Sequence, residues 1–509
     1  MPDSIIKKLY KFHGGVHMAD KKYLSNNQGI IDMPLSKKFI IPLIQHRGVI
    51  AKATVKIGDK VQKYQIIART FGKLGAVIHA PTSGIITDLK QHRIAHPGNI
   101  QESCLILEAD GKDKAIKNDK PINTDLTNKE KIIKHLKHMG LVGLGGAVFP
   151  TYFKLQGSVE NPIKTLIINA VECEPYITCD DMLMRQSSDE IIAGTMFMQK
   201  LIGAKECIIA VEDNKPEAIN SLHHSKNKTE YSNIQIVAIP TIYPSGGEKQ
   251  LIKVLKNKEI PVGKIPADLG FVCQNVSTVY AFWQAIYKNI PLVQRVVTIT
   301  GEAVKKPANL IVRFGTPIKE VLKFCGALLK DETTMGGPMM GFVVRDKSTP
   351  VTKATNCLLV RHKKPEKIIE SCIRCGKCQD VCPMNLLPQQ LYWAARDKSL
   401  NLLEKYDLLN CIECACCDYV CPSNISLVAY FKFGKGIWQK DKIDRKKAEH
   451  AKNRHDFKEQ RIIAAKAKRA ALLAEKKEKL KLKNKLGTGQ AVLDAMARVE
   501  QKKLQESKK

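Results

Sequence analysis

What the 509-residue chain lacks narrows its class before anything it contains. No window approaches the roughly 18 continuous apolar residues of a membrane-spanning helix, and the best apolar runs, 39–44 and 165–171, are strand-sized. Residues 1–15 hold no long apolar core of the kind a signal peptide needs. Any membrane association is therefore expected to be peripheral. Half of the 16 cysteines, Cys104, Cys173, Cys179, Cys207, Cys273, Cys325, Cys357 and Cys416, are scattered without close pairing, which argues against a disulfide framework and for a reducing compartment. Acidic balance is missing as well, with 82 Lys and Arg against 50 Asp and Glu, a net charge of +32. The excess is uneven: residues 435–509 carry 24 basic against 10 acidic residues, a net +14. Such an excess suits nucleic acid, an anionic lipid surface or an acidic protein, or reflects only a compositional habit, since Lys far outnumbers Arg. The basic tail has few aromatics to stack on bases and no recognised nucleic-acid fold accompanies it, so no nucleic-acid partner is expected.

Against these absences stands one repeated pattern. The chain reads Cys372-x-x-Cys375-x-x-Cys378-x-x-x-Cys382-Pro383 and then Cys411-x-x-Cys414-x-x-Cys417-x-x-x-Cys421-Pro422. This is the spacing of two-cluster ferredoxins, in which three thiolates wrap one cubane and the fourth reaches across to its neighbour. One [4Fe-4S] cluster is then expected on Cys372, Cys375, Cys378 and Cys421, and the other on Cys411, Cys414, Cys417 and Cys382. A pair of zinc knuckles is the alternative, since Cys-x-x-Cys pairs also fit tetrahedral zinc, although zinc leaves the third cysteine and the repeat unexplained. Cys416 is out of register and reads as a non-ligand. Arg374 and Lys377 stand among the first ligands and Glu413 and Asp418 among the second, which predicts that the first centre is the easier to reduce.

Length implies about three to five domains. Residues 39–110 read as short strands (39–44, 49–55, 61–69, 76–79, 84–89 and 104–108) separated by turns at Gly58-Asp59-Lys60-Val61 and Ala80-Pro81-Thr82-Ser83-Gly84. The pattern resembles the barrel-sandwich module of biotinyl and lipoyl carriers, without a convincing carrier lysine. From residue 123 the rhythm changes to α/β alternation: a helix at 128–138, a strand at 164–170, a helix at 188–201, strands at 206–211 and 234–239. Alternation implies a parallel sheet with ligands at the carboxyl ends of its strands. Residues 292–360 return to strands near 296–300, 311–314 and 342–344, 388–406 looks helical, and 444–485 reads as a solvated helix or disordered arm.

A second chemical signal lies in the α/β region. Gly140-Leu-Val-Gly143-Leu-Gly145-Gly146-Ala-Val-Phe149-Pro150, with Lys154 beyond it, allows backbone to approach a phosphate closely under a compensating charge. Asn169-Ala-Val-Glu172-Cys-Glu174-Pro175 ends an apolar strand where carboxylates can accept hydrogen bonds from ribose or nicotinamide. Tyr243-Pro-Ser-Gly246-Gly247-Glu248 and Asn275-Val276-Ser277-Thr278 follow. Each segment also reads as ordinary turn and cap chemistry.

Together these segments resemble the flavin- and NADH-binding subunit of respiratory complex I, whose corresponding motifs surround FMN and NADH. The match runs over Gly143, Gly145, Gly146, Phe149, Pro150, Lys154, Asn169, Glu172, Glu174, Pro175, Tyr243, Gly246, Glu248, Asn275, Val276 and Thr278. It departs at Leu144 (an arginine in that family), Val148 and Tyr152 (glycines), Val171 (acidic) and Gly247 (glutamate). Over roughly residues 10–435 the chain resembles the RnfC/RsxC member of the Rnf/Rsx ion-translocating electron-transport complex, from Phe12-His13-Gly14-Gly15-Val16-His17 through Met335-Gly336-Gly337-Pro338 to the cysteine runs. The resemblance implies a multidomain α+β protein: an N-terminal segment (1–38), a barrel-sandwich β module (39–122), an α/β FMN/NADH-type domain (123–290), a β-grasp-like module (291–360), a double [4Fe-4S] ferredoxin domain (361–434) and a basic helical or disordered tail (435–509). It implies two [4Fe-4S] clusters, FMN, NADH as substrate, other membrane and iron–sulfur subunits as partners, and a peripheral place on the cytoplasmic side of an inner membrane. Site residues implied for FMN and NADH are Gly143, Gly145, Gly146, Lys154, Asn169, Glu172, Glu174, Tyr243, Gly246, Glu248 and Asn275. No general base is expected. The departures at Leu144 and Val171 keep open an iron–sulfur relay and docking scaffold without bound flavin.

Overall fold

Alternate residues of the strand Thr165–Ala170 feed different cores: Leu166, Ile168 and Ala170 pack into one hydrophobic cluster and Ile167 into another. A strand buried on both faces belongs in the middle of a parallel sheet. In the computed structural model, which describes residues 8–72, 74–116, 128–156, 161–228, 233–363, 365 and 368–507, that is its position. The sheet runs Ile234–Ile239, Glu206–Glu212, Thr165–Ala170, Phe271–Asn275, all parallel. Helices Ser188–Ile202 and Val276–Tyr287 cover one face through Ile191, Ile192, Val279 and Phe282, and helix Glu248–Lys256 covers the other through Leu251 and Leu255. Asn275 ends the edge strand and caps the next helix, its side chain accepting from the N–H groups of Ser277 and Thr278. The carboxyl ends of all four strands therefore share one edge.

Two other β layers flank this domain. A six-stranded sheet joins Ala308–Arg313, Gln294–Thr300, Cys357–Arg361, Glu332–Met335 and Phe342–Val343, with Ile31–Asp32 added at its edge. Residues 38–109 make a four-stranded and a three-stranded sheet closed over one core that includes Phe39, Ile41, Ile67, Ile86 and Leu107. The expected strand 61–69 is split into Lys60–Val61 and Ile66–Arg69, with Tyr64 left-handed at φ 72° between them, and 84–89 extends to Arg93.

The N-terminal residues are woven through the body. The backbone of Val16 pairs with Tyr243, the Lys22 ammonium donates to the carbonyls of Glu172, Glu174 and Ile177 at 2.8, 3.2 and 2.6 Å, and Asn309 donates to the Ser25 carbonyl at 2.8 Å.

The cysteine region is a structural repeat. Left-handed residues recur at the same offsets in both halves: Arg374, Gly376 and Asn385 at φ 57°, 80° and 52°, and Glu413, Ala415 and Asn424 at 59°, 61° and 52°. Short helices Lys377–Asp380 and Cys416–Tyr419 follow, one per half, and pack together. The helical stretch expected at 388–406 is two helices, Pro388–Arg396 and Leu400–Lys405, broken where Lys398 is left-handed.

A helix Leu427–Glu506 begins with Leu427, Val428, Phe431 and Gly434 buried. Chain contacts divide the protein into Met1–Gly434 and Lys435–Lys509. The second unit, taken by itself, is a helix whose described residues are exposed on every side, with i,i+4 ion pairs Arg445–Asp441 and Lys479–Glu475. Among the described residues no helix is long and apolar enough to cross a membrane.

Candidate functional site: a cleft beside a cysteine chamber

The carboxyl edge of the parallel sheet opens into a cleft of about 430 Å³. Ten of the eleven residues expected at the flavin and nicotinamide site line it: Gly143, Gly145, Lys154, Asn169, Glu172, Glu174, Tyr243, Gly246, Glu248 and Asn275. Gly146 stands outside the lining, with φ 104° and open space where a Cβ would be.

The cleft is held from several elements at once. Lys154 donates to Glu248 at 2.9 Å and to the Cys273 carbonyl at 3.2 Å. Asn169 donates to the Gly246 carbonyl at 2.8 Å, and a Cβ on Gly246 would sit 2.9 Å from the Cys173 sulfur. The Leu144 backbone is fixed on both sides, its N–H donating to Thr278 Oγ1 at 2.8 Å and its carbonyl accepting from Arg295 Nη2 at 2.9 Å. Glu172 accepts from the N–H groups of Asp180 and Asp181 at the start of helix Cys179–Gln186. Asp180 in turn accepts from Asn275 Nδ2 at 2.7 Å and from the Ser277 hydroxyl. Glu174 accepts from the N–H groups of Met340 and Met339 at 2.8 and 3.2 Å. Burial in the cleft wall pushes Glu174 up to about 7, against those two donors, and raises Glu172 as well, against Lys22.

Several contributors carried no sequence signal. Arg295 comes from the neighbouring six-stranded sheet, is buried, and also donates to the Lys353 carbonyl at 2.6 Å. Gln250 and Gln274 line the cleft with Oε1 and Nε2 buried and without hydrogen-bond partners among the described residues. Such orphaned groups, with a glycine-edged cradle and a lysine, fit a polar planar ligand such as a flavin nucleotide.

Next to the cleft lies a chamber lined by Cys382, Cys411, Cys414 and Cys417. Three of these come from the second cysteine run and one from the first, the crossed set that the spacing predicts. Backbone N–H groups turn onto the sulfurs, Leu386 to Cys382 at 3.3 Å and Glu413 to Cys411 at 3.4 Å. Cys416, out of register, lines the chamber too, hydrogen-bonded to Cys414. In the other half, Cys378 feels the charges of Cys375 and Cys372, and bonds from Ser423 to Ser371 and from Glu370 to Ser423 hold the segment after Cys421 against the one before Cys372. Nowhere among these eight cysteines do three sulfurs lie within 4.8 Å of one another. Thiolates around a single zinc ion stand about 3.8 Å apart, so the wider spread fits a cubane and not a zinc knuckle.

Cleft and chamber share a wall. Ile412 and Cys414 line both, and the Tyr243 hydroxyl donates to the Cys414 carbonyl at 2.7 Å. Gln250 reaches the same region through Met384 Sδ at 2.9 Å. The His13-Gly14-Gly15 segment clamps the junction: His13 Nδ1 bonds the Cys382 carbonyl at 2.9 Å and the Gly15 N–H donates to Val381 at 3.0 Å. A Cβ on Gly14 would fall 2.4 Å from the Val381 backbone, which explains the glycine.

Fold and site define an iron–sulfur protein with a flavin-type α/β domain, and similarity to known proteins agrees. Matching family models are the RnfC barrel sandwich hybrid domain over residues 10–112, the Nuo51 FMN-binding domain over 136–284, the SLBB domain over 296–343, and 4Fe-4S dicluster domains over 371–425 and 341–387. Proteins named as the C subunit of the ion-translocating oxidoreductase complex are similar to it: 43% identity with that of Pectobacterium carotovorum over 91% of this chain and 62% of the relative, 45% with that of Pasteurella multocida over 88% and 54%, and 42% with that of Serratia proteamaculans over 97% and 70%. The chain belongs to this family, the RnfC-type C subunits of the ion-translocating oxidoreductase complex. It spans 62% and 54% of the length of the first two relatives. Its cofactor set is two [4Fe-4S] clusters and FMN. The crystal structure of an NAD+-reducing [NiFe]-hydrogenase in the H2-reduced state covers 62% of this chain and 63% of its own at 18% identity, with a TM-score of 0.45 that carries no argument.

Proposed function

We propose that this protein passes electrons between NADH and the other redox subunits of a membrane-bound, ion-translocating complex, from the cytoplasmic face of an inner membrane to which it attaches peripherally. The shared wall of Ile412 and Cys414 carries this reading, because it sets the nucleotide cleft directly against the second cysteine run. When bound, FMN exchanges a hydride with NADH and the clusters accept single electrons. The chain's own residues position and shield. Lys154 stands ready for a phosphate while Glu248 keeps it charged; Gln250 and Gln274 offer unpaired polar atoms to the ring system; Tyr243 holds the cluster loop against the cleft. The eleven proposed ligand-contacting residues are those named above, and the eight cysteines are the proposed cluster ligands in crossed sets. Domain limits follow the composition shifts at residues 39, 123, 291, 361 and 435.

Asp418, partly buried beside Cys417 at 3.6 Å, supports a second centre harder to reduce than the first. The order of sites would then run from cleft to second run to first run.

The test uses anaerobically prepared full-length protein with flavin, iron and sulfide quantified, NADH added, and the clusters followed by EPR. Bleaching of the flavin absorbance followed by cluster signals is expected. A preparation that holds both clusters but no flavin, with no response to NADH, would favour the flavin-free relay that Leu144 and Val171 suggest.

A further inference from the structure

The two halves of the cysteine repeat meet solvent differently. Cys382, Cys414 and Cys417 are buried, whereas Cys375 is exposed and Cys372, Cys378 and Cys421 are partly so. Around that open half, Ile368, Ile369, Ile373 and Tyr419 present 78, 67, 66 and 57% of their surfaces. Single exposed apolar residues are ordinary, but four bordering one ligand set mark a contact face. The backbone beneath them is pinned: the Glu370 N–H donates to Ser423 at 3.0 Å, the Ser423 hydroxyl to Ser371 at 2.9 Å, and Asn424 Nδ2 to Ile368 at 3.0 Å.

Charge tells what would sit there. Arg374 and Lys377 are exposed between the ligands of this half, with Glu370 and Asp380 exposed on the flanks. Over residues 1–434 there are 58 Lys and Arg (82 less the 24 of the tail) against 40 Asp and Glu (50 less 10), so the long-range field is positive. Such a field steers an acidic partner, while the apolar rim excludes water at the contact.

We propose that this face docks an acidic one-electron carrier protein, seated on Ile368, Ile369, Ile373 and Tyr419 and oriented by Arg374 and Lys377. The inference rests on the electron-transfer reading above for its purpose, though docking is a property of the oxidised proteins alone. One electron crosses, with no proton transferred and no bond made: the carrier gains what this chain loses, or the reverse.

Calorimetry of the oxidised, cluster-loaded full chain against a small acidic two-[4Fe-4S] ferredoxin as probe tests it. Binding should weaken as salt rises and fall at least about tenfold in I368D/I369D, which lies outside the ligand run. K377E should weaken binding and flatten its salt dependence. F71D, an exposed apolar site on the barrel-sandwich module, should change nothing. EPR of dithionite-reduced samples shows whether both centres are present, separating loss of a cluster from loss of docking. No binding by wild type, or equal affinity in wild type and both face variants with centres intact, overturns the proposal. So does a self-dimer that I368D/I369D abolishes. Wild type without either centre overturns the cluster reading, and docking with it.

Discussion

Lys353 shows what a single buried charge does to this molecule. Its ammonium donates to the Gly140 carbonyl at 2.7 Å, beside His79, and burial alone pulls it from 10.5 down to about 7. Between those values the unfolded chain binds a proton that the folded chain does not, so stability must rise with pH through that window. We expect the thermal midpoint of the wild type to climb from pH 7 to 9 and Lys353→Met to flatten the climb; His46, held down at about 4 by burial and by Lys353, acts below that window. An unchanged slope in the variant would count against the assignment. Lysine in a strand-and-turn region gives no hint of this, since only packing decides which lysine is enclosed. The same holds for Arg295. Leu144 was legible as a departure from a glycine-loop pattern, but the guanidinium that holds its carbonyl arrives from 151 residues away.

At the scale of elements, period and punctuation were readable and breaks were not. The parallel strands, the Asn128 and Asn275 caps and the cysteine repeat followed from apolar runs and spacing. Strand 61–69 and helix 388–406 were broken by left-handed backbone at Tyr64 and Lys398, residues with no intrinsic preference for it. Val148, β-branched at φ 44°, is a similar case. The helix Leu427–Glu506 divides its duties: Phe431 closes the cysteine chamber, and beyond Lys435 the described surface is exposed. Phe431→Ala should cost about 3–5 kcal/mol and lower iron content at the second centre. A chain ending at Trp438 should keep both centres and shift the midpoint by less than about 2 °C, because exposed i,i+4 pairs contribute only about 0.3–0.5 kcal/mol each. Iron and sulfide analysis with anaerobic thermal melts checks both.

For the whole molecule the informative feature is the wall between cleft and chamber, where Tyr243 joins residues 171 positions apart. Tyr243→Phe removes one neutral hydrogen bond, about 0.5–1.5 kcal/mol, and loosens the loop that carries Cys414. Flavin reduction by NADH should be unchanged while cluster reduction slows several-fold in rapid-freeze EPR; equal rates would place the electron path elsewhere. The sequence by itself determined the chemistry, because thiolate spacing, glycine placement and strand-end carboxylates are local patterns that one stretch of chain can display. Only the tertiary structure decided that Cys382 crosses to the second run's chamber wall, that the cleft abuts this chamber, and that the first run faces solvent. These are distances between segments far apart along the chain, set by how whole layers pack, and no local pattern encodes them.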